Sequence, residues 1–186
     1  MDTSPQDALT LTLEAFADTV IPGEKRYPDD RAIAGVCTGG GAVAAGALEL
    51  LNTPATGIDT SVEPLSHTLN DHATAYAART GRPLDDDVPP FVALPYADRA
   101  ALLRELTAPD HPEKAAWVLL ALFSNMAYDI GAHLHTADAL KADHPGLRAM
   151  RFADPDQDGL WRFPDYSYGR KLAERHPSTT ASGSPE

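Results

Sequence analysis

Asp110–His135 reads DHPEKAAWVLLALFSNMAYDIGAHLH, and its apolar residues recur at helical spacing. Taken as one long helix, it starts at Asp110 as N-cap, with Pro112 in the first turn, where a missing N–H costs little. Glu113, three residues after Asp110, completes a capping-box pattern. Ala116, Leu120, Phe123, Ala127, Ile130 and Leu134 form one stripe, the expected core face. The rest of the circumference is not polar. Trp117, Ala121, Ser124, Tyr128, Gly131 and His135 make a second stripe, and Val118, Leu122, Asp129 and His133 a third side. Such a helix is expected to be covered on most faces, by its own domain or by a partner. Each large apolar side chain contributes roughly 1.5–3 kcal/mol on full burial, so this segment is expected to mark the core.

Outward from it, the chain patterns as further helices. Ser4-Pro5 reads as N-cap and first helical position, with Leu9, Leu13, Phe16, Ala17, Val20 and Ile21 at helical spacing and a stop at Pro22-Gly23. Gly35–Gly41 (GVCTGGG) has neither the Lys-Ser/Thr pair of a phosphate-binding loop nor a strand before it. Its glycines instead predict close backbone approach ahead of a thin, alanine-rich helix over Ala42–Leu51. Helices are also predicted over Ser61–Thr80 (Leu65, Leu69, Ala73 and Tyr76 inward) and Tyr96–Thr107 (Ala100, Leu103 and Leu106 inward), with a short one near Asp138–Asp143. Three prolines make Asp85–Pro95 an ordered loop burying Phe91, Val92 and Leu94. The fold class is all-α: one helical domain over 1–177, a bundle of about five or six helices with long Pro/Gly-rich loops, an extended aromatic C-terminal segment and a disordered tail over 178–186.

The formal net charge of −12 argues against nucleic acid or an anionic membrane as partner, because no basic patch is available to release counterions. A single cysteine, Cys37, allows no internal disulfide. No apolar run reaches the ~18 residues of a membrane span. Met1–Thr10 lacks a basic region followed by an apolar one, so the expected location is cytoplasmic, or outside with an exported partner.

Few residues offer chemistry. On a regular helix His133 and His135 diverge by about 200° and cannot share a metal. Asp129 and His133, four apart, share a face; they are candidates for a carboxylate-oriented general base, or for a structural pair at a helix end. His135 with Tyr128 is a second candidate for a cofactor-free active site. His67 and Asp71, with His72 adjacent, read as a solvated face. Asp154, Asp156 and Asp158 followed by Gly159 resemble the first half of a calcium loop. Position 12 is Asp165 instead of the bidentate Glu, and Arg162 sits where a ligand would; the alternative is an Asx-rich turn. Leu160–Arg170 (LWRFPDYSYGR) is expected to be extended, with Pro164 and Gly169 barring a continuous helix. Trp161, Arg162, Phe163, Tyr166, Tyr168 and Arg170 are of the types that anchor interfaces, and are candidates for partner binding or for closing the domain's own core. No dinucleotide fingerprint, GxSxG or CxxC is present.

Leu11–Glu24 (LTLEAFADTVIPGE) resembles the opening of the gluconate 2-dehydrogenase subunit 3 family, whose first helix ends in an "ADtiiPg" pattern matched here by Ala17-Asp18-Thr19-Val20-Ile21-Pro22-Gly23. Ala34-Gly35 and Gly41-Ala42-Val43 resemble the segment that follows, and Asp154–Pro177 is similar to an actinobacterial branch of related small proteins. The resemblance implies a small helical accessory subunit that binds no cofactor itself. It would stabilise or mature a large flavin-dependent oxidoreductase of the glucose–methanol–choline type, with FAD in that partner. Many members carry a twin-arginine leader, which Met1–Thr10 lacks.

Overall fold

The computed structural model describes residues 4–154, 157, 177 and 178. Among these are eight α-helices, two short 3-10 turns and no strand: α1 (Pro5–Val20), α2 (Ala47–Leu51), α3 (Val62–Thr80), α4 (Pro90–Ala93), α5 (Tyr96–Leu106), α6 (Lys114–Ile130), α7 (Thr136–Lys141) and α8 (Pro145–Ala149). The protein is all-α, as its periodicity predicts. The chain divides into two units, Met1–Phe152 and Ala153–Glu186; every helix named here lies in the first.

α1 starts as its sequence dictates. The Ser4 hydroxyl accepts the Asp7 N–H at 3.2 Å, and Pro5 needs no acceptor. It then becomes the centre of the fold, packed against α2, α3, α4, α5 and α6. Every residue from Thr12 to Thr19 is buried. Four of those eight are polar, which hides a central helix from a hydrophobicity pattern. Thr12 and Thr19 return their hydroxyls to carbonyls one turn back, at 2.8 and 2.6 Å. Phe16 meets Trp117 of α6 with ring centroids 6.5 Å apart. These two rings join the main apolar cluster with Leu69, Phe91, Leu94, Leu106 and Leu120. A smaller cluster of Ala17, Ala42, Ala47, Leu50 and Ala127 lets α2 lie close on α1 and α6.

The expected helix over 110–135 is shorter at both ends. It starts at Lys114 with Glu113 as N-cap, not Asp110. It stops because Gly131 takes a left-handed conformation (φ 55°), and the Ala132 N–H turns back to the Met126 carbonyl. The core face is also rotated from the expected stripe. Trp117, Leu120, Ser124 and Ala127 are buried, whereas Ile130 and Leu134 are exposed. α3 follows prediction, with Leu69, Ala73 and Tyr76 buried and Gly81 as its left-handed cap. The helix expected over 42–51 begins only at Ala47, after turns. α5 buries Leu102 and Leu106, leaving Leu103 and Ala100 half-covered. Phe91, Val92 and Leu94 are buried as expected, and the loop around them holds one helical turn, α4. α8 was not legible as periodicity, yet His144 and Pro145 mark its start.

Candidate functional site

The motif that carries the family resemblance builds a joint. Asp18, nearly fully buried, accepts the Gly23 N–H at 3.0 Å and the Ala34 N–H at 2.9 Å. The chain past α1 is thereby tied to the segment beyond the charged loop. Burial raises the Asp18 carboxyl above its usual range, against the pull of those two N–H groups. Residues 21–24 and 39–42 cross in contact: Ala42 N–H donates to the Ile21 carbonyl at 3.0 Å and Glu24 N–H to the Gly39 carbonyl at 2.8 Å. At the crossing a Cβ on Gly23 or on Gly41 would strike backbone atoms of the other segment. The glycine-rich run therefore serves close backbone approach, as its sequence predicts.

Two arginines close the same joint. Arg26 grips the Glu14 carboxylate with both terminal nitrogens and Asp30 through Nε at 2.7 Å, which keeps its own pKa raised. Burial pushes Asp30 up, but the Arg26 hydrogen bonds and the Ile33 N–H outweigh it and hold that carboxyl low. Arg99, buried on α5, spends its guanidinium on four carbonyls: Leu94 (2.9 Å), Ala32 (2.7 Å), Arg31 (3.0 Å) and Val92 (2.6 Å). Burial pulls its pKa down to about 10, partly offset by the Asp18 charge. Nothing in the sequence pattern singles out Arg99.

The sequence-predicted catalytic residues are not brought together. Because Gly131 ends α6, Asp129 and His133 no longer share a helix face. Asp129 accepts from Asn125 of its own helix. His135 is exposed, and its Nδ1 caps α7 by accepting the Ala137 N–H at 3.3 Å. Tyr128 lies where α8 crosses α6, its carbonyl against Gly146. His133 packs over Gly46 and beside His144, with ring centroids 6.4 Å apart. Its Nδ1 is buried with no hydrogen-bond partner, and burial lowers its pKa below the ordinary 6.5. His144 is structural: one ring nitrogen contacts the Ala45 carbonyl at 3.1 Å and the other accepts the Leu147 N–H at 3.3 Å.

A second histidine cluster stands at the other end of α6. His72 Nε2 is 2.7 Å from Glu113 Oε2, which also accepts the Trp117 indole N–H at 3.2 Å. His111, two residues earlier, accepts the Glu113 backbone N–H at 3.2 Å and sets its ring 5.7 Å from that of His72. The expected solvated face at His67–His72 is thus divided. His67 is exposed beside a cleft of about 580 Å³ between α1 and α3, whereas His72 turns to α6.

The outward face of α6 is the largest departure from an ordinary surface helix. Val118 is 43% exposed, Leu119 37%, Leu122 49% and Ile130 55%. With Ala115 and the half-buried Met126 they fall within one arc of the helix, opposite Trp117 and Leu120. Leu134, just past the cap, is exposed too. Within the described fold only the inward side of α6 is covered.

The expected partner-binding residues Trp161, Arg162, Phe163, Tyr166, Tyr168 and Arg170 lie outside the described residues, as do Asp156, Asp158 and Asp165 of the expected calcium loop. Asp154 is described and exposed. Among the described residues no helix is long and apolar enough to cross a membrane.

A family model described as "Family of unknown function (DUF5987)" matches residues 7–186, and the chain belongs to that family. Comparison with curated proteins and with solved structures gives no match.

Proposed function

We propose that this DUF5987 member is a small accessory subunit that docks through the outer face of α6 onto a larger flavin-dependent oxidoreductase of the glucose–methanol–choline type, stabilising or maturing it. The observation that supports docking is the arc of Val118, Leu119, Leu122 and Ile130, apolar and open to water. A monomer gains nothing by exposing such a row, whereas an interface core needs one. The class of partner comes from the resemblance of Leu11–Glu24 to the gluconate 2-dehydrogenase subunit 3 family. In this role the flavin belongs to the partner, and Trp161, Phe163, Tyr166 and Tyr168 are further candidates for partner binding.

The test is co-expression of the full chain with a candidate large subunit, reading soluble flavoprotein, flavin loading and turnover. Wild type is expected to raise all three, and the double variant V118D/L122D, still folded by circular dichroism, to lose the effect. Flavin loading indifferent to the wild-type chain would exclude the role. A folded V118D/L122D that keeps the wild-type effect would move the interface elsewhere.

A further inference from the structure

We propose that His72, His111 and Glu113 form a binding site for a divalent transition metal of the zinc class. Their donor atoms lie within 4.8 Å of one another. They come from two parts of the fold, His72 from the middle of α3 and the other two from the turn that opens α6. Two imidazoles and one carboxylate are a donor set that zinc accepts with a fourth position left to water.

The site is supported from behind. Trp117, wholly buried, donates its indole N–H to Glu113 Oε2 and so fixes the carboxylate, as outer partners of metal ligands commonly do. His72 and Glu113 alone would make an ordinary hydrogen-bonded pair. His111 also accepts the Glu113 N–H at 3.2 Å, and its ring stands edge-on to that of His72, which brings a second imidazole up to the same carboxylate. A metal gives all three groups one role.

Binding requires small adjustments. The proton shared by His72 Nε2 and Glu113 Oε2 leaves, and their 2.7 Å separation opens to the roughly 3.4 Å of two ligands on a tetrahedral ion. Glu113 is exposed enough to move. Metal on either nitrogen of His111 ends its bond from the Glu113 N–H, because the other nitrogen must then carry the proton.

The untagged full chain is titrated with zinc chloride by calorimetry, and with cobalt(II) as a spectroscopic probe. One equivalent of zinc is expected, with a raised melting temperature and the visible absorption of a tetrahedral cobalt centre. His72→Ala and His111→Ala should each weaken binding by at least about tenfold, and His67→Ala, one turn away and exposed, should not. Apo-protein melting shows whether each variant is folded. For any variant that is not, the cobalt spectrum of Glu113→Gln replaces it, with a blue-to-pink change expected as the carboxylate is lost. No stoichiometric zinc on the wild type, or binding that survives in folded His72→Ala and His111→Ala, would overturn the site.

Discussion

The joint at the end of α1 and the outer face of α6 handle water in opposite ways. At the joint, charged groups go inside and are answered: Asp18 by two backbone N–H groups, Arg99 by four carbonyls, and the carboxylates of Glu14 and Asp30 by Arg26, which reaches them from the surface. On α6, apolar groups stay outside and nothing in the described fold answers them. Buried charge is tolerated only when every partner is present, so the joint must be built to the last hydrogen bond or not at all. Exposed apolar surface has no such demand on folding. The joint therefore reads as architecture, and the helix face as the place where something other than folding has kept leucine and isoleucine in water.

Breaking the joint should be the most damaging change. Arg99→Met strips four carbonyls of their donor and should cost about 3–5 kcal/mol in urea unfolding. A loss below about 1 kcal/mol would mean the carbonyls find water, and that the joint is not sealed. Gly41→Ala should follow, at about 1–3 kcal/mol, because its Cβ meets the backbone of residues 21–23, which no rotamer change relieves. Gly39→Ala, with open space around its Cβ but a φ of +81°, tests the other glycine penalty, of about 1 kcal/mol.

A smaller effect concerns pH. Burial lowers the His133 pKa, so the unfolded chain takes up the proton first as pH falls. The unfolded state then binds more protons than the native one, and stability falls as pH drops through the ordinary value of 6.5 toward the lower native pKa. His133→Gln should flatten that part of the stability–pH curve, measured by thermal melting. An unchanged slope would show that His133 is not the group responsible. The smallest effect on folding should come from the contrasting region. Leu122→Ser should change stability by no more than about 0.5 kcal/mol, while weakening capture of the partner in the co-expression assay. A large loss of stability from Leu122→Ser would mean the face is covered by its own chain.

Local rules made much of this fold readable. Ser4-Pro5 and Gly81 act within one turn of themselves, so α1 begins and α3 ends where the residues say. Gly131 was equally local, and its stop signal was overridden in the pattern by the apolar residues on both sides of it. The candidate site was less legible. His133 and Asp129 looked like neighbours only because four residues make a turn in an unbroken helix, and this one breaks. His72 and Glu113 are 41 residues apart and had no reason to be associated in sequence.

By itself the sequence determined the class: helical periodicity, caps, proline and glycine stops, and no strand pattern. It also carried Asp18, Pro22 and Gly23 in one motif, because the turn they make is short. Only the tertiary structure decided which helix is central, which face of α6 is turned inward, and where Arg99 and His111 spend their polar atoms. Periodicity reports that a side is apolar, but α6 is apolar nearly all round, so its rotation depended on where Phe16 and Leu69 came to lie. The Arg31 and Ala32 carbonyls that Arg99 meets, and the Glu113 carboxylate beside His72, come from chain segments far away in sequence, and contacts of that kind exist only once the helices have packed.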